Sequence, residues 1–139
     1  MRFSLLTKGF TDIIDITEKV SEIIERSGVK EGICLIFSPG STCGITTIEY
    51  EEGLKKDLKR ILDKLIPPSE DYEHCKKWGD CNGFSHIRSS FLRPSLVVPI
   101  EGGKLSLGTW QQIVFIDFDK RSRKREVIVK VISERNEGK

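Results

Sequence analysis

Apolar residues recur at helical spacing in two stretches of this chain, and in most of the remainder they alternate with polar ones or run continuously. Over residues 17–27, Val20, Ile23 and Ile24 share one face and Glu22 precedes Arg26 by four. With Thr17 as a candidate N-cap and Gly28 as a stop, that pattern predicts a helix. Residues 51–66 repeat it more strongly, with Leu54, Leu58, Ile61, Leu62, Leu65 and Ile66 forming a stripe expected to face the core. Glu51 and Glu52 favour the positive end of this helix, and Pro67-Pro68 ends it. A third, short helix is expected to begin near Ser85, acting as its N-cap, and to run through Leu92 to Arg93-Pro94.

Residues 3–7, 11–16, 32–38, 42–49, 95–100, 105–107, 112–119 and 126–133 read as strands. The Gly-containing 101–104 segment and the polar run 120–124 read as hairpin connections. Neither a repeat nor a linker interrupts the series, so the expectation is one domain over residues 1–139. Its fold class is α+β, a mainly antiparallel sheet or sandwich with two to three helices.

Composition narrows the choice of partners. Charged residues make up 32% of the 139 but nearly cancel, leaving a net charge of +2. Bulk electrostatics therefore favour neither nucleic acid nor a membrane surface, and any anion site must be local. The apolar run after Met1 is too short for a signal peptide and no later stretch could span a membrane, so a soluble, cytoplasmic protein is expected. Cys34, Cys43, Cys75 and Cys81 lack any Cys-x-x-Cys pair and read as free thiols. One Met and an abundance of Lys, Arg and Glu resemble the usage of proteins that work hot.

The side chains suited to chemistry crowd between Trp78 and Gln112. Asp80, Asn82, His86 and Arg88 lie within nine residues among glycines, a mixture that fits a polar cleft better than a core. With Ser85 as N-cap, the first amides of its helix, His86 and Arg88 would make an anion site. Asp80 would supply a hard oxygen ligand or orient His86, and Asn82 would hydrogen-bond a substrate. Turn chemistry alone would also account for Asp80 and Asn82. The hydroxyl-rich loop 38–49 includes Ser41 and Thr42 but lacks the closing Gly-Lys-Ser/Thr of a P-loop. Glu49 is its candidate general base or metal ligand, expected opposite His86. His74, Cys75, Cys81 and His86 raise a zinc site without the tight knuckle spacing such sites favour. The basic run from Lys120 to Arg125 reads as a solvated hairpin tip rather than a nucleic-acid contact, since no aromatics accompany it.

The stretch 40–49 (Gly-Ser-Thr-Cys-Gly-Ile-Thr-Thr-Ile-Glu), Asn82 with His86, the 94–100 segment and above all Leu107-Gly108-Thr109-Trp110-Gln111 resemble the YjbQ family, also described as secondary thiamine-phosphate synthases. The resemblance runs from the first strands to Val131. It implies a compact α+β fold, a homotrimer with clefts near subunit interfaces, and a weak ability to join a pyrimidine diphosphate to a thiazole phosphate. The family's polar cleft residues fall on Ser41, Thr42, Glu49, Asn82, His86, Trp110 and Gln111. Many members carry histidine where this chain has Gly40, so a mechanism needing two histidines would have to recruit His74.

On that basis His86, Glu49 and Asp80 are the catalytic candidates. Ser41, Thr42, Asn82, Ser85, Arg88, Trp110 and Gln111 are the substrate-binding ones. A divalent metal, magnesium ahead of zinc, would find its ligands among Asp80, Glu49 and His86. The expected partners are a small phosphorylated metabolite and two further copies of the chain. The competing readings are a metal-assisted hydrolase or lyase on another phosphometabolite, and a trimeric module that binds an anion without turnover.

Overall fold

The computed structural model of the chain describes residues 1–79 and 81–135. In order these form β1 (Arg2–Thr7), β2 (Asp12–Asp15), α1 (Thr17–Ser27), β3 (Gly32–Phe37), β4 (Cys43–Ile48), α2 (Glu52–Leu65), α3 (Glu73–Trp78), α4 (Gly83–Leu92), β5 (Ser95–Glu101), β6 (Lys104–Leu105), β7 (Gln112–Asp117) and β8 (Arg123–Ser133). The strands make two antiparallel sheets, one ordered β1-β8-β3-β5-β6 and the other β2-β7-β4. The fold is α+β, as the alternation of patterns predicts.

Period-two alternation decides how the layers stack. The inward residues of the large sheet, including Leu5, Cys34, Ile36, Val98, Ile100, Val127 and Val129, meet the Val20-Ile23-Ile24 face of α1. Ile45, Ile113 and Phe115 close that core from one face of the small sheet. On its opposite face Ile13, Val114, Ile116 and Phe118 pack beneath Leu62 and Leu58 of α2 and Leu92 of α4. β7 is covered on both sides, which is why its sequence is a continuous apolar run rather than an alternation.

Three features differ from what the sequence pattern predicts. The run from Lys120 to Arg125 is not a hairpin tip, because β7 pairs with β2 and β4 whereas β8 pairs with β1 and β3. The segment instead carries the chain from one sheet to the other. Of the α2 stripe only Leu62 and Ile66 are buried, while Ile61 and Leu65 point to solvent, because the helix rests on the sheet along a face narrower than the stripe. Finally α3, at six residues, is too short for a periodic pattern to identify, and no element is expected there from the sequence.

Helix ends follow their local chemistry. The Glu51 carboxylate caps α2 by accepting from the amides of Gly53 and Leu54. Gly28 ends α1 in the left-handed conformation, its N–H reaching the Glu25 carbonyl at 3.2 Å. Thr17 lies just inside α1, with Ile16 at the cap position, and its hydroxyl accepts from the Ile113 amide at 2.8 Å. Among the described residues no helix is long and apolar enough to cross a membrane.

Candidate functional site

β7 runs into Asp117-Phe118-Asp119. Alternation sends Phe118 into the core beneath α2 and turns both carboxylates to the other side. Asp117 is fully buried. The Arg125 guanidinium grips it with two hydrogen bonds, Nε to Oδ2 at 2.9 Å and Nη2 to Oδ1 at 2.8 Å. Thr7 Oγ1 donates to the same carboxylate at 2.5 Å and the Asp119 amide at 3.0 Å. Asp119 is held likewise by Arg123 Nε at 2.7 Å, by the Lys120 amide at 2.7 Å and by Asn82 Nδ2 at 3.5 Å. Thr42 joins the halves: its hydroxyl donates to Asp119 at 3.3 Å and accepts from Arg125 at 2.6 Å.

Burial pushes both carboxyls up, but the hydrogen bonds and charge of their arginine and amide partners outweigh it, and each lies below its ordinary value. Two carboxylates and two guanidiniums cancel, leaving a neutral lattice in a desolvated place, where unpaired charge would be prohibitive. Lys120 and Arg121 follow Asp119 in the chain. With Asn82, Asp119 and Arg123 they line a 230 Å³ cavity.

The helices complete this end of the molecule. Asn82 occupies the N-cap of α4 without capping through its side chain. Ser85, expected at that position, lies three residues inside and is fully buried, its hydroxyl donating to the Asn82 carbonyl at 2.6 Å. Gly83 lets α3 close on α4, since a Cβ there would lie 2.7 Å from Tyr72 Cβ. That contact brings the His74 and His86 rings to 4.7 Å between centroids, tilted by 48°. The structure thus sets His74 beside His86.

Arg88 is a second correction. It lies fully buried and does not line the cavity of Lys120 and Arg121, donating through Nε and Nη2 to the Ile66 carbonyl at 3.0 and 2.8 Å. It also reaches Thr11 Oγ1 at 2.9 Å and Asp63 Oδ1 at 3.0 Å. Its role is to satisfy the carbonyl end of α2, which Pro67 cannot extend.

Glu49, Trp110 and Gln111 sit elsewhere. Thr42 and Glu49 flank β4 at its two ends, roughly 20 Å apart at strand spacing. Gln111 bridges the Thr47 hydroxyl at 3.2 Å and the Gly108 amide at 3.0 Å, next to Trp110, which is 72% exposed. Within one chain, therefore, Glu49 does not stand opposite His86, and the expected cleft is divided between two ends of the small sheet. Ser41 is exposed at the Thr42 end, and Asp80 lies outside the described residues.

Sequence reasoning missed Asp117, Asp119, Lys120, Arg121, Arg123 and Arg125. The available signal was a shared period of two, acids at 117 and 119 followed by arginines at 123 and 125. Among the described residues no three His, Cys, Asp or Glu side chains gather to hold a metal. Asp117 and Asp119 are turned to their arginines, so the described donor set does not fit a metal cage built by one chain. A hydrogen bond between the Cys75 and Cys81 thiols raises the Cys81 pKa.

Burial pushes the Cys34 thiol up to about 11 and raises Cys43 as well. Both should resist a chromogenic disulfide reagent at pH 8 until the protein is unfolded. Stoichiometric labelling of either in the native protein would show that the core opens.

A family model described as UPF0047 protein YjbQ-like matches residues 1–134. A UPF0047 protein of Archaeoglobus fulgidus is 39% identical over 132 residues, covering 95% of this chain and 100% of that one. The UPF0047 protein YugU of Bacillus subtilis is 37% identical, over 78% and 80% of the two chains. A YbjQ-like protein of unknown function from Sulfolobus solfataricus superposes with a TM-score of 0.87 at 33% identity, covering 96% of this chain and 97% of that one. An uncharacterized conserved protein of Clostridium acetobutylicum, an ortholog of YugU, gives 0.87 at 38%, over 95% and 99%.

Proposed function

The chain belongs to the UPF0047 YjbQ-like family, and we propose, on what its resemblance to that family implies, that it is a thiamine-phosphate synthase-like transferase. The reaction would join a pyrimidine diphosphate to a thiazole phosphate. The thiazole nitrogen attacks the pyrimidine methylene, a C–N bond forms, the C–O bond to the diphosphate breaks, and the electron pair leaves with pyrophosphate. Catalysis of such a step consists of gripping the leaving group and aligning the nucleophile. The observation that carries the reading is the cavity where Lys120 and Arg121 stand over Asn82 and a neutralised acid lattice. Three basic residues line it, and its one described carboxylate, Asp119, is bonded to Arg123.

We place the rest of the site across copies. The Glu49-Trp110-Gln111 end of one chain would meet the Thr42-Asn82-His86 end of another in a homotrimer, and Trp110 would stack on a heterocycle. Support comes from the outer face of the large sheet. Ile33, Val97 and Ile132 are exposed there, and Ile33 is directly paired with Ile132, the kind of apolar patch that copies bury. Mass measurement by light scattering tests this arrangement, and a monomer would leave Trp110 and Glu49 outside the site.

A second reading, a hydrolase or lyase on another phosphometabolite, draws on the paired imidazoles. Transfer of a methylene from diphosphate to a tertiary nitrogen moves no proton, whereas hydrolysis does. An assay with both thiamine precursors in magnesium buffer, repeated with His86→Ala, separates the two. The synthase reading expects thiamine phosphate to appear and the variant to lose less than about tenfold. An acid-base mechanism expects roughly 10²–10⁴-fold loss of turnover on its own substrate. Failure of the wild type to form thiamine phosphate would reject the synthase.

A further inference from the structure

The four cysteines divide by position. Cys34 and Cys43 are fully buried in the core, whereas Cys75 and Cys81 are half-buried at the turn between α3 and α4. Neither of the second pair belongs to either hydrophobic core, and a hydrogen bond joins their thiols.

Two backbone conformations fold the chain back to make that contact. Gly79 ends α3 in the left-handed conformation at φ 72°, its N–H reaching the Cys75 carbonyl at 2.9 Å. Cys81 takes φ of 56° two residues later, a region that costs a residue with a side chain of order 1–3 kcal/mol. Glycine would enter it freely, so the thiol is presented against local preference. The flanks are fixed as well. A Cβ on Gly83 would lie 2.7 Å from Tyr72 Cβ and 3.3 Å from His74 Cβ, so the first residue of α4 is seated against the residues that open α3. Two thiols in hydrogen-bond contact need close by only about 1–2 Å to reach a disulfide's S–S length of about 2 Å.

We propose that Cys75 and Cys81 are a reversible dithiol–disulfide couple that exchanges with low-molecular-weight disulfides and, once oxidised, clamps α3 to the start of α4. The thiolate of one cysteine attacks the small disulfide, forming a mixed disulfide and releasing one thiolate. The second cysteine gives up its proton, attacks the sulfur of the first and expels the other thiolate. Two protein thiols are thus oxidised as one small disulfide is reduced to two thiols. The clamp would bear on the candidate site, because His74 precedes Cys75 and Asn82 follows Cys81.

Incubation of the reduced full chain with oxidised glutathione at mildly alkaline pH, followed by acid quenching and intact-mass spectrometry, tests the couple. It is run on wild type, Cys75→Ser and Cys81→Ser, each variant first checked for an unchanged melt. We expect the wild type to lose two hydrogen atoms, to carry no glutathione, to yield peptides linked through Cys75 and Cys81, and to regain its starting mass with dithiothreitol. Each single variant should instead retain one glutathione on its remaining thiol of the pair. Wild type that keeps glutathione as the variants do, or that stays fully reduced, would overturn the couple. Lys76 and Lys77 lie between the cysteines, so tryptic cleavage there, scored after reduction, should slow by about tenfold on oxidation as local opening becomes costlier. Equal cleavage rates in the two redox states would overturn the clamp.

Discussion

Replacing Arg88 with alanine is expected to lower the melting temperature by about 10 °C, corresponding to about 3 kcal/mol for a chain of this size. Two effects add. The Ile66 carbonyl loses both its guanidinium donors, and a buried acceptor left without a partner costs about 1–3 kcal/mol. The vacated volume also sits between α2, α4 and Thr11, where collapse is restricted. The ion pair with Asp63 contributes little, because that carboxylate is mostly exposed. Arg88→Lys should recover only part of the loss, since an ammonium lacks the fork that serves Ile66 and Thr11 together. A shift under about 2 °C for Arg88→Ala would mean that the residue behaves as an ordinary surface arginine and that the described network does not form.

Asp117→Asn is expected to cost about 3–5 kcal/mol, the usual consequence of removing one partner from a buried ion pair. The shape of the side chain survives, but Arg125 keeps its charge in a place nearly closed to water. Arg125→Met in the same chain should return part of that loss, and equal destabilisation by the single and double variants would argue against the pairing. The same lattice sets the response to acid. The carboxyls of Asp117 and Asp119 have depressed pKa values in the folded state, so their contribution is fully present above the ordinary carboxylate value of about 4. It is lost as pH falls through the folded-state values. Urea midpoints should therefore stay level from pH 7 to about 5 and drop below pH 4 in the wild type, with a shallower drop in Asp117→Asn.

The parts of this molecule that were legible in its sequence are those governed by local periodicity. The α1 face, the stop at Gly28, the strand segments and the 101–104 hairpin all follow from residues close together in the chain. What was not legible depended on pairing between distant segments. Nothing near Lys120 announces that Arg123 and Arg125 will turn back onto Asp119 and Asp117, because the decision belongs to β8, which leaves the small sheet to join the large one. Arg88 was misread for a similar reason. On a helix of its own it is a surface cation, and only the approach of Ile66 and Thr11 makes it a buried one. Ser85 lies three residues inside the helix rather than at its cap, because its hydroxyl donates back to the Asn82 carbonyl instead of accepting from a first-turn amide.

The position of β8 also sets the order of assembly. It follows every other described strand in sequence, yet it lies between β1 and β3, with residues 2–7 paired to 123–128. A ribosome will have made β1 to β7 before the large sheet can join β1 to β3. Until then β1 and β3 each present an open edge, and the arginines that neutralise Asp117 and Asp119 are absent. Burial of those acids must wait for β8, so completion of the sheet and of the charge lattice is one late event. Refolding should accordingly be slow, as pairings between segments so far apart in sequence require, and the protein should be most prone to aggregation before β8 is in place.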